Sequence, residues 1–359
     1  MGKKLLILLL ILVVCLLLSA WWLYPAFRFL RNYQKKVAGG VESADRRELR
    51  LKENNLNLHI YAPSIPARTT LLIVPGLHPQ GIEDPRFIGF AVSCAEAGFQ
   101  VIAPDIREFR DFHITQNSID DLETVIDAVP RYMESATLSR FGILGISYGA
   151  GPALCAAAGK PLDFFVAIGG YYNLSHAIEF SFSGGHPGGA RRGSHEWGRL
   201  IFTLNHVEQI TSGSDTAILR ESLALRLQLK EQDAVLKEAL LSEGGKLLLQ
   251  EILKGLSDAR ISQFRQILQK RSDEALKLSP DGVLKQLSPK MRSYLLHGRS
   301  DDAVPYEETQ ELHDALSGRS MPVRSLITDG LTHVDVSNAS DLWGLIRLLH
   351  WMRLLLSEA

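Results

Sequence analysis

Cysteine is scarce: Cys15, Cys94 and Cys155 are the three among 359 residues. Their number is odd, and their spacing fits neither a disulfide framework nor a zinc site. Cys94 and Cys155 are expected to be small buried hydrophobes, the usual place of a free thiol. Charge of one sign is not in excess either. The chain has 39 Lys and Arg against 40 Asp and Glu, a net charge of −1, which removes the basic footprint of a nucleic-acid binder. There is no internal repeat and no low-complexity tract. His186, His195 and His206 lack a paired ligand spacing, so no metal is expected and no cofactor is needed.

What is present in quantity is apolar. Hydrophobic residues make up 46% of the chain and charged ones 22%, enough for the core of one large domain or two modest ones. The N-terminal stretch "LLILLLILVVCLLLSAWWLY" carries no charge from Leu5 to Tyr24. A helix of that length, at about 1.5 Å per residue, crosses a hydrocarbon core of about 30 Å. Trp21, Trp22 and Tyr24 close it as an aromatic belt would. Residues 1–24 are therefore expected to be a single-pass transmembrane anchor, with the membrane as partner and its side undetermined, and residues 25–46 a juxtamembrane linker. The competing reading is a signal peptide with Lys3 and Lys4 as its basic region, cleaved to leave a secreted or periplasmic protein. Leu18 of "LSA", where a small residue is wanted, speaks against cleavage.

Beyond residue 46 strand and helix patterns alternate. "ELRLKENNLNLHIYAP" reads as a hairpin, "TTLLIVPG" as a buried strand and residues 85–97 as a helix opened by Pro85. Next come a strand at 99–105, a helix at 118–134 that Ser118 could cap and that Pro130 should kink or end early, and strands at 140–147 and 163–172. Strands apolar along their whole length, alternating with helices, predict an α/β protein: a mostly parallel sheet with helices on both faces. The alternation lapses over 176–289, where Leu223, Leu227, Leu236, Leu240, Leu247 and Ile252 fall at helical spacing. It resumes with strands at 292–298 and 322–330 and helices near 306–317 and 339–356. The core is thus expected at 47–175 and 290–359, and a helical cap insert at 176–289, over the carboxyl ends of the strands where open α/β sheets bind ligands.

"LGISYGAG", residues 144–151, puts Ser147 at the end of a strand and the start of a helix. That context turns a bare G-x-S-x-G into a nucleophile elbow: a tight turn with the serine exposed to substrate, and Gly145 and Gly149 small because neighbours pack close. The plainer alternative is a glycine-rich loop. A serine hydroxyl needs a base and an acid, and in this architecture they follow in the order acid, then histidine. "LLHGRSDDAVP" offers Asp301 after a strand, with Asp302 as the fallback, and "ITDGLTHVD" offers His333. A turn aspartate and an idle loop histidine are each plausible alone. Three such residues in order, each at a strand end, make coincidence hard to sustain.

On these residues the chain resembles the α/β-hydrolase superfamily. The matching segments are "GISYGAG", "HGRSDDAVP" and "GLTH", together with "LLIVPGLHPQG" and "EAGFQVIAPDIREF". The resemblance spans residues 56–175 and 290–356 and leaves out the N-terminal run and the insert. It implies a serine hydrolase, most simply a carboxylesterase or lipase-like enzyme acting on a small acyl substrate, possibly apolar, through an acyl-enzyme on Ser147. His333 would be the base and Asp301 its orienting acid. The oxyanion hole would use the backbone N–H groups of Tyr148 and Leu77. Relatives often carry His-Gly where this chain has Pro75-Gly76, and the dehalogenases and epoxide hydrolases of the superfamily carry aspartate where this chain has Ser147. Peptidase, thioesterase and acyltransferase chemistry use the same triad, and a catalytically silent scaffold binding a lipid or a protein is the alternative of another class.

Overall fold

The computed structural model describes residues 2–39, 46–51, 54–132, 139–189, 192–332 and 342–359. Successive side chains of a strand point to opposite faces, and in this sheet both faces are apolar. β3 (Thr69–Val74) sends Leu72 and Val74 into one buried cluster and Leu71 and Ile73 into another. A sheet buried on both sides needs helices on both sides. The chain supplies β1 (Arg46–Arg50), β2 (Asn57–Tyr61), β4 (Phe99–Pro104), β5 (Arg140–Ile146), β6 (Phe164–Ile168), β7 (Arg292–Gly298) and β8 (Val323–Thr328) around it. The order is β1-β2-β4-β3-β5-β6-β7-β8. β1 and β2 form the expected hairpin, β2 pairs antiparallel with β4, and every pairing from β4 to β8 is parallel. The protein is an α/β protein with the α/β-hydrolase fold.

α1 (Gly2–Gly39), α2 (Pro85–Glu96) and, at the far end of the chain, the helix of residues 342–355 cover one face. The short α3 (Arg107–Arg110) follows β4, and α4 (Gln116–Tyr132) and α5 (Ala150–Ala156) cover the other face. Asp84 caps α2, its carboxylate accepting the Arg86 N–H at 2.8 Å. α4 starts two residues before Ser118, and it ends at Tyr132, two residues after Pro130. Ser118 is therefore inside the helix, and its hydroxyl bonds Glu108.

Among the described residues, eight α-helices lie between β6 and β7: α6 (Leu174–Ser183), α7 (Glu196–Asn205), α8 (Val207–Ile210), α9 (Ser214–Leu227), α10 (Glu231–Glu238), α11 (Glu243–Lys254), α12 (Asp258–Gln269) and α13 (Ser272–Lys277). They close around their own core of Phe202, Leu219, Leu223, Leu227, Ile252 and Phe264. Three leucines read from the same spacing, Leu236, Leu240 and Leu247, are instead exposed. α14 (Tyr306–Gly318) follows β7, and α15 (Leu342–Leu355) is the helix that ends the far face.

The N-terminal expectation is corrected. Among the described residues no helix is long and apolar enough to cross a membrane. A transmembrane anchor at Leu5–Tyr24, with its membrane partner and single-pass location, is therefore not supported. Where a linker was expected from residue 25, α1 continues to Gly39. This part of α1 docks on the body: Ala26 and Phe29 are buried with α2 and α15, and Lys36 meets Glu96 at 2.7 Å. Trp22, read as part of an interfacial belt, has the Arg353 guanidinium 4.4 Å from its ring centre, a cation–π contact.

Candidate active site

β5 ends at Ile146, and the next residue turns the chain sharply. Ser147 has φ of +53°, in the left-handed region that a β-carbon disfavours. One 3-10 turn, Ser147–Gly149, then leads into α5. This geometry is possible because three neighbours lack side chains. A β-carbon at Gly149 would lie 1.9 Å from the Pro75 carbonyl oxygen, and one at Gly145 would lie 2.3 Å from the Ala150 Cα. One at Gly76 would lie 3.0 Å from the Ser147 Cβ and 3.5 Å from its Oγ. Gly76 thus brings the loop after β3 against the serine, and Leu77 follows it, half-buried between the sheet core and the insert core. Tyr148 is anchored by its hydroxyl, which donates to the carbonyl of Ala177 at 3.1 Å and is 3.4 Å from that of Ala303. Burial raises the Tyr148 phenol well above its ordinary value.

The loop after β7 separates the two candidate acids. Asp301 is 1% exposed, and its Oδ1 accepts the N–H groups of Ala303 and Val304, both at 2.9 Å. Its Oδ2 is 3.2 Å from Nε2 of His297, whose Nδ1 meets the Thr309 hydroxyl at 2.7 Å. The Asp302 side chain is exposed, with His195 Nε2 4.0 Å away. His333 lies outside the described residues. The backbone just before it is described, and it comes to the acid strand: a β-carbon on Gly298 would lie 2.0 Å from the Thr332 carbonyl oxygen. Arg299 N–H also reaches the Thr328 carbonyl at 2.8 Å, so the acid loop and the histidine loop leave the sheet side by side.

A cavity of about 710 Å³ is lined by Ser147, Tyr148 and Leu77, with Ile178, Trp197 and Phe202 from the insert. His78 closes the loop after β3 rather than standing free. It stacks on Trp197 at 6.1 Å, and its Nδ1 is 3.3 Å from Asp84. Burial lowers the His78 pKa. Burial would raise that of Asp84, but its bonds from Arg86 prevail and hold it low.

The cap histidines read singly from sequence scatter. His195 caps α7, and His206 bonds the Phe202 carbonyl. His186 instead joins His176, Glu308 and Glu311 in one cluster, an association the sequence spacing does not show because the residues belong to α6, the loop after it and α14. Arg192, in the same loop, pairs with Glu307 and lies over the rings of Phe180 and Tyr306 at 4.9 and 4.7 Å. Its neighbour Arg191 lies outside the described residues.

No protein-family model matches the chain. Among solved structures it is similar to an acylaminoacyl peptidase from Pyrococcus horikoshii, with a TM-score of 0.49 and 14% identity over 87% of this chain. The match takes in 40% of the peptidase, so the chain spans about two fifths of that protein's length. It is also similar to a thermophilic esterase from the planctomycete Thermogutta terrifontis, with a TM-score of 0.48 and 14% identity over 89% of this chain and 92% of the esterase. A sugar hydrolase from Lactococcus lactis gives a TM-score of 0.46 and 11% identity over 87% and 97% of the two chains.

Proposed function

We propose that the protein is a serine hydrolase that cleaves carboxylic esters through an acyl-enzyme on Ser147. The observation that carries this reading is the backbone of Ser147, held at a φ of +53° with Gly76 packed against it. Such strain persists only where the surroundings impose it, and it gathers at functional sites. In the proposed reaction the Ser147 oxygen attacks the acyl carbon while His333 takes its proton. Asp301, already fixed by two backbone N–H groups, orients the imidazole and stabilises its charged form. The oxyanion is met by the N–H groups of Tyr148 and Leu77, each contributing about 2.7–4 kcal/mol. The alcohol leaves with the proton from His333, and water, activated by the same base, attacks the acyl carbon and restores the serine. Much of the lining of the cavity is aromatic and aliphatic, with Asp84, Arg86, Arg271 and Glu274 also on its wall, and its apolar part suits an apolar acyl group.

The test is labelling of the purified full-length protein by a fluorophosphonate, which reacts with activated serines. Labelling is expected in the parent and lost in Ser147→Ala and His333→Ala. Asp301→Asn is expected to slow it by about 10³–10⁴-fold, and Asp302→Asn to leave it near the parent rate. A folded parent that takes no label refutes the hydrolase reading and favours a binding scaffold. An Asp302→Asn loss as large as that of Asp301→Asn refutes the choice of acid.

A further inference from the structure

Two histidines and two glutamates from three parts of the fold converge beside the insert. His176 is on α6, His186 on the loop that follows, and Glu308 and Glu311 are one turn apart on α14. One potential ligand atom from each lies within 4.8 Å of all the others. Glu308 Oε1 is 2.8 Å from His186 Nε2 and 3.5 Å from His176 Nδ1. Glu311 Oε1 is 3.9 Å from the first nitrogen and its Oε2 is 3.8 Å from the second. We infer that these four side chains form a binding site for a divalent transition metal, best suited to zinc.

The distances fit that reading. Zinc takes nitrogen and carboxylate oxygen at about 2.0–2.2 Å in tetrahedral array, which separates neighbouring ligand atoms by about 3.3–3.5 Å. The four separations, 2.8 to 3.9 Å, lie on both sides of this edge, so the side chains must shift to close on an ion. The chemistry fits as well: two imidazoles with two carboxylates are a borderline donor set that favours zinc over calcium or magnesium, which prefer oxygen alone.

A second observation points the same way. His176 Nδ1 is buried and makes no close hydrogen bond among the described residues, with Glu308 Oε1 3.5 Å away, and such a nitrogen is costly to leave poorly satisfied. The cluster is also firmly supported. Glu308 is buried, and its other oxygen accepts the N–H groups of Tyr172 and Asn173 at 2.8 and 2.6 Å. The loop carrying His186 is pinned to α14 by Arg192 and Glu307. His176 and Glu311 are 33% and 35% exposed, which gives an ion a way in. His186 Nδ1 accepts the Gly188 N–H at 3.0 Å, so its ring proton sits on Nε2 and points at Glu308. Coordination through Nε2 moves that proton to Nδ1 and turns the Gly188 peptide, a change a glycine backbone allows. The ion would join the first helix of the insert to the helix after the Asp301 loop, a structural role that leaves Ser147 as the nucleophile.

The inference is tested on the full-length protein, stripped with chelator, by calorimetric titration with zinc and by visible spectroscopy with cobalt. One equivalent of zinc is expected, with cobalt bands of the intensity of a four-coordinate site. His176→Ala and Glu311→Gln, both at partly exposed positions, should keep the parent circular dichroism and each weaken zinc by about tenfold or more, whereas His195→Ala should not. Zinc should also raise the thermal midpoint of the parent and not that of the two variants. A parent that binds no zinc overturns the site. So does a parent whose affinity survives both substitutions, since the metal then sits elsewhere.

Discussion

Gly149→Ala probes the closest contact around the serine. Gly149 has φ −74° and ψ −16°, angles any residue adopts, so the substitution costs nothing in backbone conformation. Its cost is in space. The new methyl would sit 1.9 Å from the Pro75 carbonyl oxygen and 2.9 Å from the carbon, against an ordinary C···O separation of about 3.3 Å. The neighbour is backbone, so it cannot rotate away. Pro75 must retreat by more than about 1 Å, taking Gly76 and Leu77 with it. Overpacking of this kind costs about 1–3 kcal/mol, and the fixed neighbour places this case toward the upper end. A 1 Å displacement of a reacting group can cost about 10²-fold in rate. The variant should therefore melt lower than the parent and take a fluorophosphonate about 100-fold more slowly. Gly318→Ala is the control: it lies in the last turn of α14 with nothing within 4 Å, and it should melt at or slightly above the parent, by up to about 1 kcal/mol. A Gly149→Ala protein with the parent's midpoint and labelling rate refutes the argument. A lowered midpoint with an unchanged rate would keep the tight packing but separate Leu77 from the chemistry.

Two further outcomes are expected. Arg199, buried in the insert, donates to the carbonyls of Ile252 and Leu253 at 2.6 and 2.8 Å and to the carbonyl and hydroxyl of Ser194 at 2.8 and 2.7 Å. Arg199→Met strands the two carbonyls at the end of α11 and should cost about 2–4 kcal/mol in urea unfolding; a parent midpoint would show that water replaces the guanidinium. His206 is held neutral by burial, with Nδ1 2.9 Å from the Phe202 carbonyl and Nε2 3.2 Å from Arg271, and with Glu274 and His113 as its other titrating neighbours. Its folded pKa is below its unfolded value of about 6.5, so the stability it contributes is full above that pH and lost as pH falls through the window beneath. The thermal midpoint should fall more steeply below pH 6.5 in the parent than in His206→Gln, and equal slopes would refute the assignment.

What the sequence carries plainly is local. The strands at 69–76, 99–105 and 140–147 are legible because each is a short apolar run stopped by glycine or proline, and their burial on both faces needs no knowledge of their partners. The sharp turn at Ser147 is legible for the same reason, since glycine, serine and glycine act on one another within five residues. Where the outcome depends on distant chain, local pattern misleads. Leu236, Leu240 and Leu247 have helical spacing like Leu223 and Leu227, yet which leucines meet the insert core is decided by how α10 and α11 pack. Ser118 reads as a cap, but Glu108 lies within reach of its hydroxyl and the helix starts earlier. At the N-terminus the uncharged run drew attention away from Ala26 and Phe29, whose partners are on α2 and α15.

The neighbouring aspartates show where that limit falls within the candidate site. Asp301 and Asp302 are the same residue type on the same loop, and the sequence puts Asp301 first while leaving Asp302 as the fallback. Tertiary structure gives them different surroundings, through desolvation. A buried carboxylate must recover the hydrogen bonds it gives up to water, and Asp301 has them from Ala303 and Val304 with His297 beside its second oxygen. Asp302 faces solvent and needs none. A carboxylate fixed in this way pays little further entropy to hold an imidazole, whereas an exposed one must first be immobilised. The same accounting separates His186 from the other cap histidines. Its partner Glu308 is 122 residues away in sequence, and only the folding of the loop after α6 onto α14 makes them neighbours. Chemistry that depends on a turn can be found in a line of sequence. Chemistry that depends on two helices meeting becomes visible only when the chain has folded.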